Sequence, residues 1–438
     1  LVQQVKTAGV ESWIADQLRP EAIPAKGSFA PEENAAQRLR DNTVVFYTAD
    51  RPFEFGTDRL VGARPVLAER QLQAVMGQFW DNHFSTDLRS DLNPVAERDE
   101  EDMLDENALG SFEHLLTLSA KSYAMLKYLN GVDNKRSGPN ENYGREVLEL
   151  HTLGVGGGYS EDDVAQMSRI FTGWSHRMVG ETSRFQILDD ARNPGLTSYY
   201  AFQFNPDDHD NGLADYDGDG KVEENKAFFV GRPEQKIIVS LSGGDGVKED
   251  EEAIAMMARH PSTARFICTK LAVKFVAESP SVETLDACAS TFLNAQQAPN
   301  QIAQVLAALF ASEQFTNEAS QRAKLKDAQE LLYGFVRLAL NYDSAAAADD
   351  QRQAFAESHA LIMGRSLGDM QMQPFGNPAP DGWSEFSDAW LSGNQMLQRQ
   401  RQVNESIPQL GHLREYAERV ALRTGRELIA HFFLLMLG

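Results

Sequence analysis

The stretch NENYGREVLELHTLGVGGGYSEDDVAQMSRIFTGW, from Asn140 to Trp174, decides the fold class of this chain. In its first half, apolar side chains recur at spacings of three and four residues, which is typical of a helix with one buried face. The Gly-rich run VGGGYS ends this helix, and Ser160 with the acidic residues after it predicts the start of a second helix. The stretch therefore predicts two consecutive helices, Asn140 to Leu153 and Ser160 to Thr172.

The first of these helices carries a ladder of charges. Glu141, Arg145 and Glu149 lie four residues apart and share one face. An exposed ladder of this kind contributes only roughly 0.2–0.5 kcal/mol per pair, and a solvated face is its usual meaning. If the face is half buried, each charge needs a partner, and such networks often lie at functional sites. We expect a largely buried ladder in which Arg145 pairs with Glu141, Glu149 or an acid on a neighbouring helix.

Helical periodicity dominates the chain on both sides of one exceptional segment. Between about residues 184 and 242 the pattern changes to the short runs RFQIL, YYAFQF, AFFV and KIIVSL, bounded by Pro, Gly, Asn and Asp. We predict a mainly α fold, a multi-helix globular bundle forming a single domain over residues 1–438, with a small β-ribbon insertion at 184–242. The acidic stretch from Asp87 to Asp105 is predicted to be a loop between two helices, and a single helix is predicted from Ala108 to Asn130.

The charge of the chain restricts its partners. The formal net charge is −23, and a surface this acidic repels phosphate backbones and anionic headgroups. We therefore expect neither nucleic acid nor an anionic membrane surface as a partner. No stretch approaches the roughly twenty consecutive apolar residues that a membrane span needs. We expect a soluble acidic protein without a membrane span.

Within the insertion, the segment DYDGDGKVEEN, from Asp215 to Asn225, has the spacing of a calcium-binding loop. Acids fall at positions 1, 3 and 5 of an EF-hand-type loop, and Gly220 falls where the chain must turn. The twelfth position is Lys226 instead of glutamate, so a nearby acid would have to close the site. We predict one structural calcium ion, since these carboxylates repel one another without a cation; the alternative is an acidic turn with no ion. The predicted ligands are Asp215, Asp217, Asp219, the Lys221 carbonyl, and Glu223 or Glu224.

A second, dispersed set of residues has side chains suited to a transition metal or to acid–base catalysis. The candidate catalytic residues are His83, Glu146, Glu149, His151 and Arg145, and His209 is a further candidate ligand. Two more arginines, Arg169 and Arg265, are candidate anion binders. No HExxH-type spacing is present, so the sequence supplies no geometry. A lone histidine is more often a core or capping residue, and an arginine in so acidic a chain more often pairs with a carboxylate.

The cysteines leave two states open. Two cysteines are too few for a disulfide scaffold or a Cys-rich zinc site. Cys268 and Cys288 lie on successive predicted helices, about ten residues before and about eight residues after a turn near Pro280, so antiparallel packing would place them at similar heights. A disulfide is expected if the protein is exported to an oxidising space, and two free thiols are the alternative.

Five segments carry a resemblance to a known family. They are FWDNHFS at 79–85, NENYGREVLELHTLGV at 140–155, GYSEDDVAQMSRIFTGW at 158–174, HPSTARFICTKL at 260–271 and PAPDGWSEFSDAWLSGNQMLQRQ at 378–400. In this order they resemble the bacterial family known as domain of unknown function, family 1800, along nearly the whole chain. The resemblance implies an exported protein, periplasmic or extracellular, with further sequence and a secretion signal before the helix at Leu1. It also implies a candidate partner, a phosphatase- or sulfatase-like protein of a neighbouring uncharacterised family.

Two functions remain open, because the resemblance implies no settled activity. The first is a non-catalytic binding or assembly module stabilised by calcium, which requires the polar helix to form a closed network. The second is a secreted hydrolase-type enzyme, which requires a concave pocket around His83, Arg145 and Glu146.

Overall fold

The computed structural model describes residues 9–23, 65, 68–87, 94–178, 200–212, 225–320, 323–334 and 366–406, together with positions 424 and 427. Within these residues the chain is mainly helical and carries two small antiparallel sheets of two strands each. The predicted fold class is therefore confirmed.

The elements are numbered in chain order. The α-helices are α1 (Val10–Gln17), α2 (Gln71–His83), α3 (Pro94–Glu106), α4 (Phe112–Ala120), α5 (Tyr123–Tyr128), α6 (Glu141–Glu146), α7 (Glu161–Ile170), α8 (Val247–Ala258), α9 (Pro261–Phe275), α10 (Val282–Asn294), α11 (Gln301–Phe310), α12 (Glu313–Thr316) and α13 (Gly393–Ser406). Residues 328–334 and 366–369 are also helical. The strands are β1 (Trp174–Met178), β2 (Tyr200–Phe204), β3 (Asn225–Phe228) and β4 (Lys236–Val239).

The N-terminus of α7 forms where the sequence predicts it. Ser160 and Asp163 make a capping box: the Ser160 hydroxyl accepts from the Asp163 N–H at 3.3 Å, and the Asp163 carboxylate accepts from the Ser160 N–H at 2.7 Å. The other oxygen of Asp163 accepts from the Phe229 N–H at 2.7 Å. The capping box therefore starts α7, and its Asp163 also attaches the helix to Phe229, just beyond β3.

Helix α6 does not end as an ordinary α-helix. It continues into a π-helical turn, Val147–Thr152, in which the Leu153 N–H donates to the Leu148 carbonyl at 2.9 Å. The Thr152 hydroxyl donates to the Val147 carbonyl at 2.6 Å. Such wide turns are rare and are often found at functional sites. Here the wide turn brings His151 and Thr152 into the core side by side, both with 0% exposure.

One hydrophobic core runs through the described helices. Its buried members come from α2 to α11, with Trp80 on α2 and Phe112 on α4 among the largest. Helices α6 and α7 approach closely because Gly144 has no side chain: a Cβ there would collide with the Ser168 hydroxyl. Helices that follow one another in the chain pack against each other, as α2 does with α3 and α9 with α10. The bundle is therefore built mainly from contacts between sequence neighbours.

Cys268 on α9 and Cys288 on α10 form a disulfide, with their Cα atoms 5.8 Å apart. The predicted antiparallel packing of these two helices places the cysteines at the same height, as expected from their distances to the intervening turn. Both residues are fully buried in the core. The bond fixes the α9–α10 pair, and α9 carries part of the site described below.

The strands form two separate ribbons. Strand β1 pairs with β2, and β3 pairs with β4, both antiparallel. The run YAFQF thus pairs with residues that precede the predicted insertion, because Trp174–Met178 follows α7 directly. The run RFQIL and the segment 213–224 lie outside the described residues.

Two sequence predictions about helices are wrong. The stretch from Asp87 to Asp105, predicted as a loop, contains helix α3. Its periodicity is hidden because its buried face carries carboxyl groups as well as apolar side chains such as Leu104. The single helix predicted between Ala108 and Asn130 is interrupted, because the Ser122 hydroxyl caps α5 by accepting from the Met125 N–H at 3.0 Å.

Among the described residues, the longest helices are too short or too polar to cross a lipid bilayer.

Candidate functional site

Two of the predicted catalytic residues, His83 and His151, meet in the core with a lysine that the sequence analysis did not select. His83 Nε2 lies 3.1 Å from the His151 carbonyl oxygen, and Lys270 Nζ lies 3.0 Å from His83 Nδ1. A carbonyl only accepts, so Nε2 must carry the ring proton and Nδ1 must be the acceptor. His83 is therefore a neutral imidazole, held at both nitrogens, that orients the Lys270 amine.

Burial keeps both histidines neutral. The pKa of His83 is well below its usual value because of burial first and the Lys270 charge second. The same causes lower the pKa of His151 to about 3. Among the described residues, neither ring nitrogen of His151 has a hydrogen-bond partner. His151 thus acts as an aromatic side chain here, packed against the rings of Phe84 and Tyr143 at 5.4 and 6.2 Å.

Lys270 is the chemically unusual member of this group. Burial lowers the pKa of its amine to about 8, although the carboxylates of Glu385 and Asp381 act in the opposite direction. The amine lies 5.8 Å from the centre of the Phe266 ring, one turn back on α9. Lys270 as a whole residue is partly exposed, although its amine is buried enough for this shift.

Residues 377–387, called the strap below, cross over this region. Asn82, the neighbour of His83, donates to the Trp383 carbonyl at 2.9 Å and accepts from the Trp383 N–H at 2.6 Å. The Tyr128 hydroxyl donates to the Pro378 carbonyl at 3.2 Å. At the far end, the Ser387 N–H donates to Glu278 at 2.6 Å. The strap is thus fastened to α5 at one end, to α2 at Trp383, and to the turn after α9 at the other end.

A small recess lies between the strap and the C-terminal end of α2. Its walls are amides, hydroxyls, one acid and two aromatic rings: Gln78, Asp81, Asn82, Ser85, Thr86, Gln329, Pro374, Phe375, Gly376, Asn377 and Trp383. Its enclosed part measures about 20 Å³, which is room for one or two water-sized groups. In the described part of the chain, the buried side-chain nitrogen of Gln78 has no hydrogen-bond partner.

The group formed by His83, His151 and Lys270 is called the polar centre. Glu146 and Glu149 lie at the edge of this centre and not within it. Both are half-buried. The pKa of Glu146 is raised by burial first and then by the charges of Glu149 and, more weakly, Asp381 of the strap. Glu149 accepts from the Tyr159 hydroxyl at 2.9 Å. The two acids therefore face the solvent side of α6, while His83 and His151 lie on its core side.

Arg145 pairs as predicted, but the prediction of a largely buried ladder is wrong. Its guanidinium contacts Glu141 at 3.2 Å and, on the next helix, Glu161 at 2.7 Å. The side chains of Glu141 and Glu161 are 51% and 77% exposed. The ladder lies on the surface because the buried face of α6 is formed by Tyr143 and Val147 instead.

Of the remaining candidates, His209 and Arg169 belong to a separate buried network, and Arg265 lies in a surface ion pair. His209 Nε2 lies 3.2 Å from Glu249, and Lys226 donates to the same carboxylate at 2.6 Å. Arg169 donates to Asp210 at 2.6 Å, with both side chains nearly fully buried. Arg265 pairs with Asp286 on α10. The arginines thus pair with carboxylates, and His209 does not join His83.

This network also closes the base of the predicted calcium loop. Lys226 donates to the Asp210 carbonyl at 2.5 Å, joining the residues on either side of segment 213–224. The predicted ligands themselves lie outside the described residues. Lys226 is fully occupied by Asp210, Ser240 and Glu249. Lys226 therefore cannot close an ion site, and an acid earlier in the loop would have to supply the last ligand.

The sequence analysis also missed a pair of buried acids on α3. Glu97 lies 2.5 Å from the Thr86 hydroxyl, and Glu100 lies 2.7 Å from the Ser119 hydroxyl. Burial, reinforced by neighbouring acids, raises the pKa of both carboxyls to about 8. Both acids are therefore largely neutral at pH 7. Their spacing of three residues was the available signal, but it lay in a segment predicted as a loop.

The centre brings together segments that are far apart in the chain. His83, His151, Lys270 and Trp383 each come from one of the segments quoted for the family resemblance. Arg145, Glu146 and Glu149 lie beside the centre without entering it. Lys270 could have been found from the segment HPSTARFICTKL, whose lysine closes one helical face with Phe266.

Fold and site together define a mainly helical protein with a buried polar centre beneath a strap. The chain belongs to the family described as protein of unknown function DUF1800, whose model matches residues 1–435. The resemblance stated from the sequence segments is thereby confirmed. No curated protein and no solved structure matches the chain. The activity must therefore be argued from the site.

Proposed function

We propose that this protein is a binding module for a neutral, hydroxyl-rich ligand, such as a saccharide chain, which inserts a hydroxyl group into the recess beneath the strap. The observation that carries the proposal is Gln78, which lines the recess and whose side-chain amide nitrogen is buried without a partner among the described residues. An unpaired buried donor costs roughly 1–3 kcal/mol, and a ligand oxygen would remove that cost.

The chemistry of the walls selects the ligand class. Side-chain amides and hydroxyls both donate and accept, as the hydroxyl groups of a sugar do. Trp383 and Phe375 offer flat apolar surfaces for the C–H faces of a ring. Among the residues of the wall, none is cationic and Asp81 is acidic. Together with the net charge of −23, this composition disfavours anionic ligands.

The size of the recess defines how the ligand sits. The enclosed part accepts a single hydroxyl or hydroxymethyl group. The rest of the ligand would therefore lie against the outside of the strap, beside Trp383 and the exposed side chain of Asp381. Binding at one protruding group is compatible with a polymer, whose remaining units stay in solvent.

Tryptophan fluorescence tests this proposal. The protein would be titrated with neutral gluco-, galacto-, manno- and xylo-oligosaccharides and with a matched uronic-acid oligosaccharide. We expect one neutral series to bind with a Kd below about 10 mM and the uronic-acid series to bind more weakly. Gln78→Leu should abolish binding, whereas Gln304→Leu, an exposed glutamine on α11, should not. Lack of binding by every neutral series, or unchanged binding by Gln78→Leu, would contradict the proposal.

A hydrolase-type activity is the second candidate, and one observation favours it. The raised pKa of Glu146 suits a general acid, and the charge of Asp381 acts on the same carboxyl from the strap. A ligand held against Trp383 would lie beside this pair. Release of shorter saccharides by the wild type and not by Glu146→Gln would favour the enzyme; binding without release would favour the module.

Export, calcium and a partner complete the proposed function. The disulfide between Cys268 and Cys288 supports export to the periplasm or the extracellular space, since such bonds persist in oxidising compartments. The closed base at Lys226 supports a structural calcium loop at 215–224. Association with a phosphatase- or sulfatase-like protein rests on the family resemblance, and copurification of the two proteins would test it.

A further inference from the structure

The two lysines on the inner face of α9 lie in opposite electrostatic environments. Lys274 makes ion pairs of 2.9 to 3.3 Å with three acids, Asp327, Glu330 and Glu385. Lys270, one turn earlier, makes no ion pair in the described part of the chain, and its close polar contact is the imidazole of His83. Lys274 is therefore a charged structural group, whereas the close polar partner of the Lys270 amine is a neutral imidazole.

The geometry around Lys270 prepares its amine for reaction. His83 Nε2 donates to the His151 carbonyl, so Nδ1 has no proton and accepts one N–H of the amine at 3.0 Å. This contact anchors the amine from the core side. The Phe266 ring lies on another side, with its centre 5.8 Å from the amine, and Lys270 as a whole residue is partly exposed.

We propose that Lys270 is a nucleophilic amine that forms a reversible Schiff base with an aldehyde or ketone group of a ligand. His83 is the positioning residue. The amine nitrogen attacks the carbonyl carbon, and a C–N bond forms as the C=O π electrons move to oxygen. Both amine protons leave the nitrogen and end on that oxygen, which departs as one water molecule. The products are an imine and water, so no oxidant or reductant is needed.

The protonation state of the amine supports this chemistry. A pKa of about 8 leaves about half of the Lys270 amines neutral at pH 8, against roughly 0.3% for a lysine at 10.5. The charged and titratable groups that act on Lys270 are His83 and His151 from the core side and Asp381 and Glu385 from the strap. The lowered value arises because burial outweighs the two carboxylates. Desolvated lysines of this kind are known nucleophiles.

Competitive labelling tests the proposal on the intact protein. Limiting propionaldehyde would be added with cyanoborohydride, which traps each imine, and labelled lysines would be quantified by peptide mass spectrometry from pH 6 to 10. The references are Lys135, whose side chain is 51% exposed, and the ion-paired Lys274. At pH 7.5 we expect Lys270 to react at least about tenfold faster than Lys135, with half-maximal rate near pH 8. Labelling no faster than at Lys135 across the range would overturn the proposal.

A variant separates positioning from simple support of the fold. His83→Asn keeps an acceptor but loses the bond to the His151 carbonyl, so the amine is freed to turn toward Asp381 and Glu385. We expect the half-maximal pH of Lys270 labelling to rise by about one unit or more, while labelling of Lys135 stays unchanged. If the variant folds and the Lys270 profile does not move, His83 has no positioning role. If it does not fold, the wild-type profile decides the proposal alone.

Discussion

Asn82 and Trp383, which lie 301 positions apart in the chain, are joined by two reciprocal hydrogen bonds of 2.9 and 2.6 Å. Asn82 supplies both a donor and an acceptor to the backbone of the strap. Its neighbour His83 contacts Lys270 on α9. Adjacent residues of α2 thus hold the strap on one side and the reactive amine on the other.

Gly382 is the residue that allows the close contact between Asn82 and the strap. Its φ angle is 76°, and a Cβ there would collide with the Asn82 carbonyl. Gly382→Ala should lower the free energy of unfolding by at least about 1–2 kcal/mol and speed hydrogen exchange in the strap. The matched control is Gly138→Ala, which has open space around it and an ordinary backbone angle. Equal urea midpoints for the two variants would show that the strap is not fastened at Asn82.

Two arginines provide a test of burial. Arg169 pairs with Asp210 in the core, so Arg169→Ala should lower stability by roughly 3–5 kcal/mol. Arg145 pairs with exposed acids, so Arg145→Ala should change Tm by less than about 2 °C. Thermal unfolding of both variants under one condition measures the difference. A larger loss for Arg145→Ala than for Arg169→Ala would mean that α6 is buried on its charged face after all.

The contrast between these arginines shows what the sequence could predict. Ser160 and its capping box were predictable because both partners lie within three residues. The pairing of Arg145 with Glu141 was predictable for a similar reason, since the two residues lie four positions apart on one helix. Its burial was not, since burial depends on which face of α6 meets α7. Lys270 and His83 lie 187 positions apart, so no local sequence pattern predicts their contact. Helix α3 was hidden because its buried face contains Glu97 and Glu100, which periodicity counts as exposed.

Glu97 and Glu100 predict an unusual pH dependence. Their folded-state pKa of about 8 exceeds the ordinary value of 4.5, so the folded protein binds more protons than the unfolded chain between these values. The contribution to stability is therefore full below about pH 4.5 and is lost as pH rises toward 8. The expected slope is about 1.4 kcal/mol per pH unit for each group that titrates in this way.

Urea unfolding between pH 5 and 8.5 measures this slope. Glu97→Gln and Glu100→Gln each remove one titrating group and should make the fall in stability with pH shallower. Glu318→Gln, at an exposed position, is the control and should leave the slope as in the wild type. A wild-type slope that neither buried substitution reduces would mean that these carboxyls are ionised in the folded protein.

The disulfide should contribute most of the stiffness of the α9–α10 pair. Cys268 and Cys288 are 20 positions apart, and closing a loop of that length stabilises the fold by about 3 kcal/mol in the chain-entropy picture. Cys268→Ser with Cys288→Ser should therefore lower the urea midpoint clearly. Denatured, unreduced wild-type protein should show no reactive thiol. Two thiols titrating under those conditions would exclude the bond.

Calcium should stabilise the loop at 215–224. Asp210 and Lys226 lie on either side of segment 213–224 in the chain and are joined by a hydrogen bond. Five carboxylates then share ten residues with one lysine, so the loop carries strong self-repulsion that a divalent cation would relieve. Because the ion binds only the folded loop, Tm should rise with free calcium, by an amount equivalent to about 2.7 kcal/mol at a concentration of 100 times Kd.

Asp217→Asn should weaken this response, while Asp245→Asn, in an exposed turn where the acid pairs with Lys248, should preserve it. Calorimetry on chelator-treated protein gives the direct measurement. No heat on calcium addition and no shift in Tm would eliminate the site, and an equal response in both variants would place the ion elsewhere.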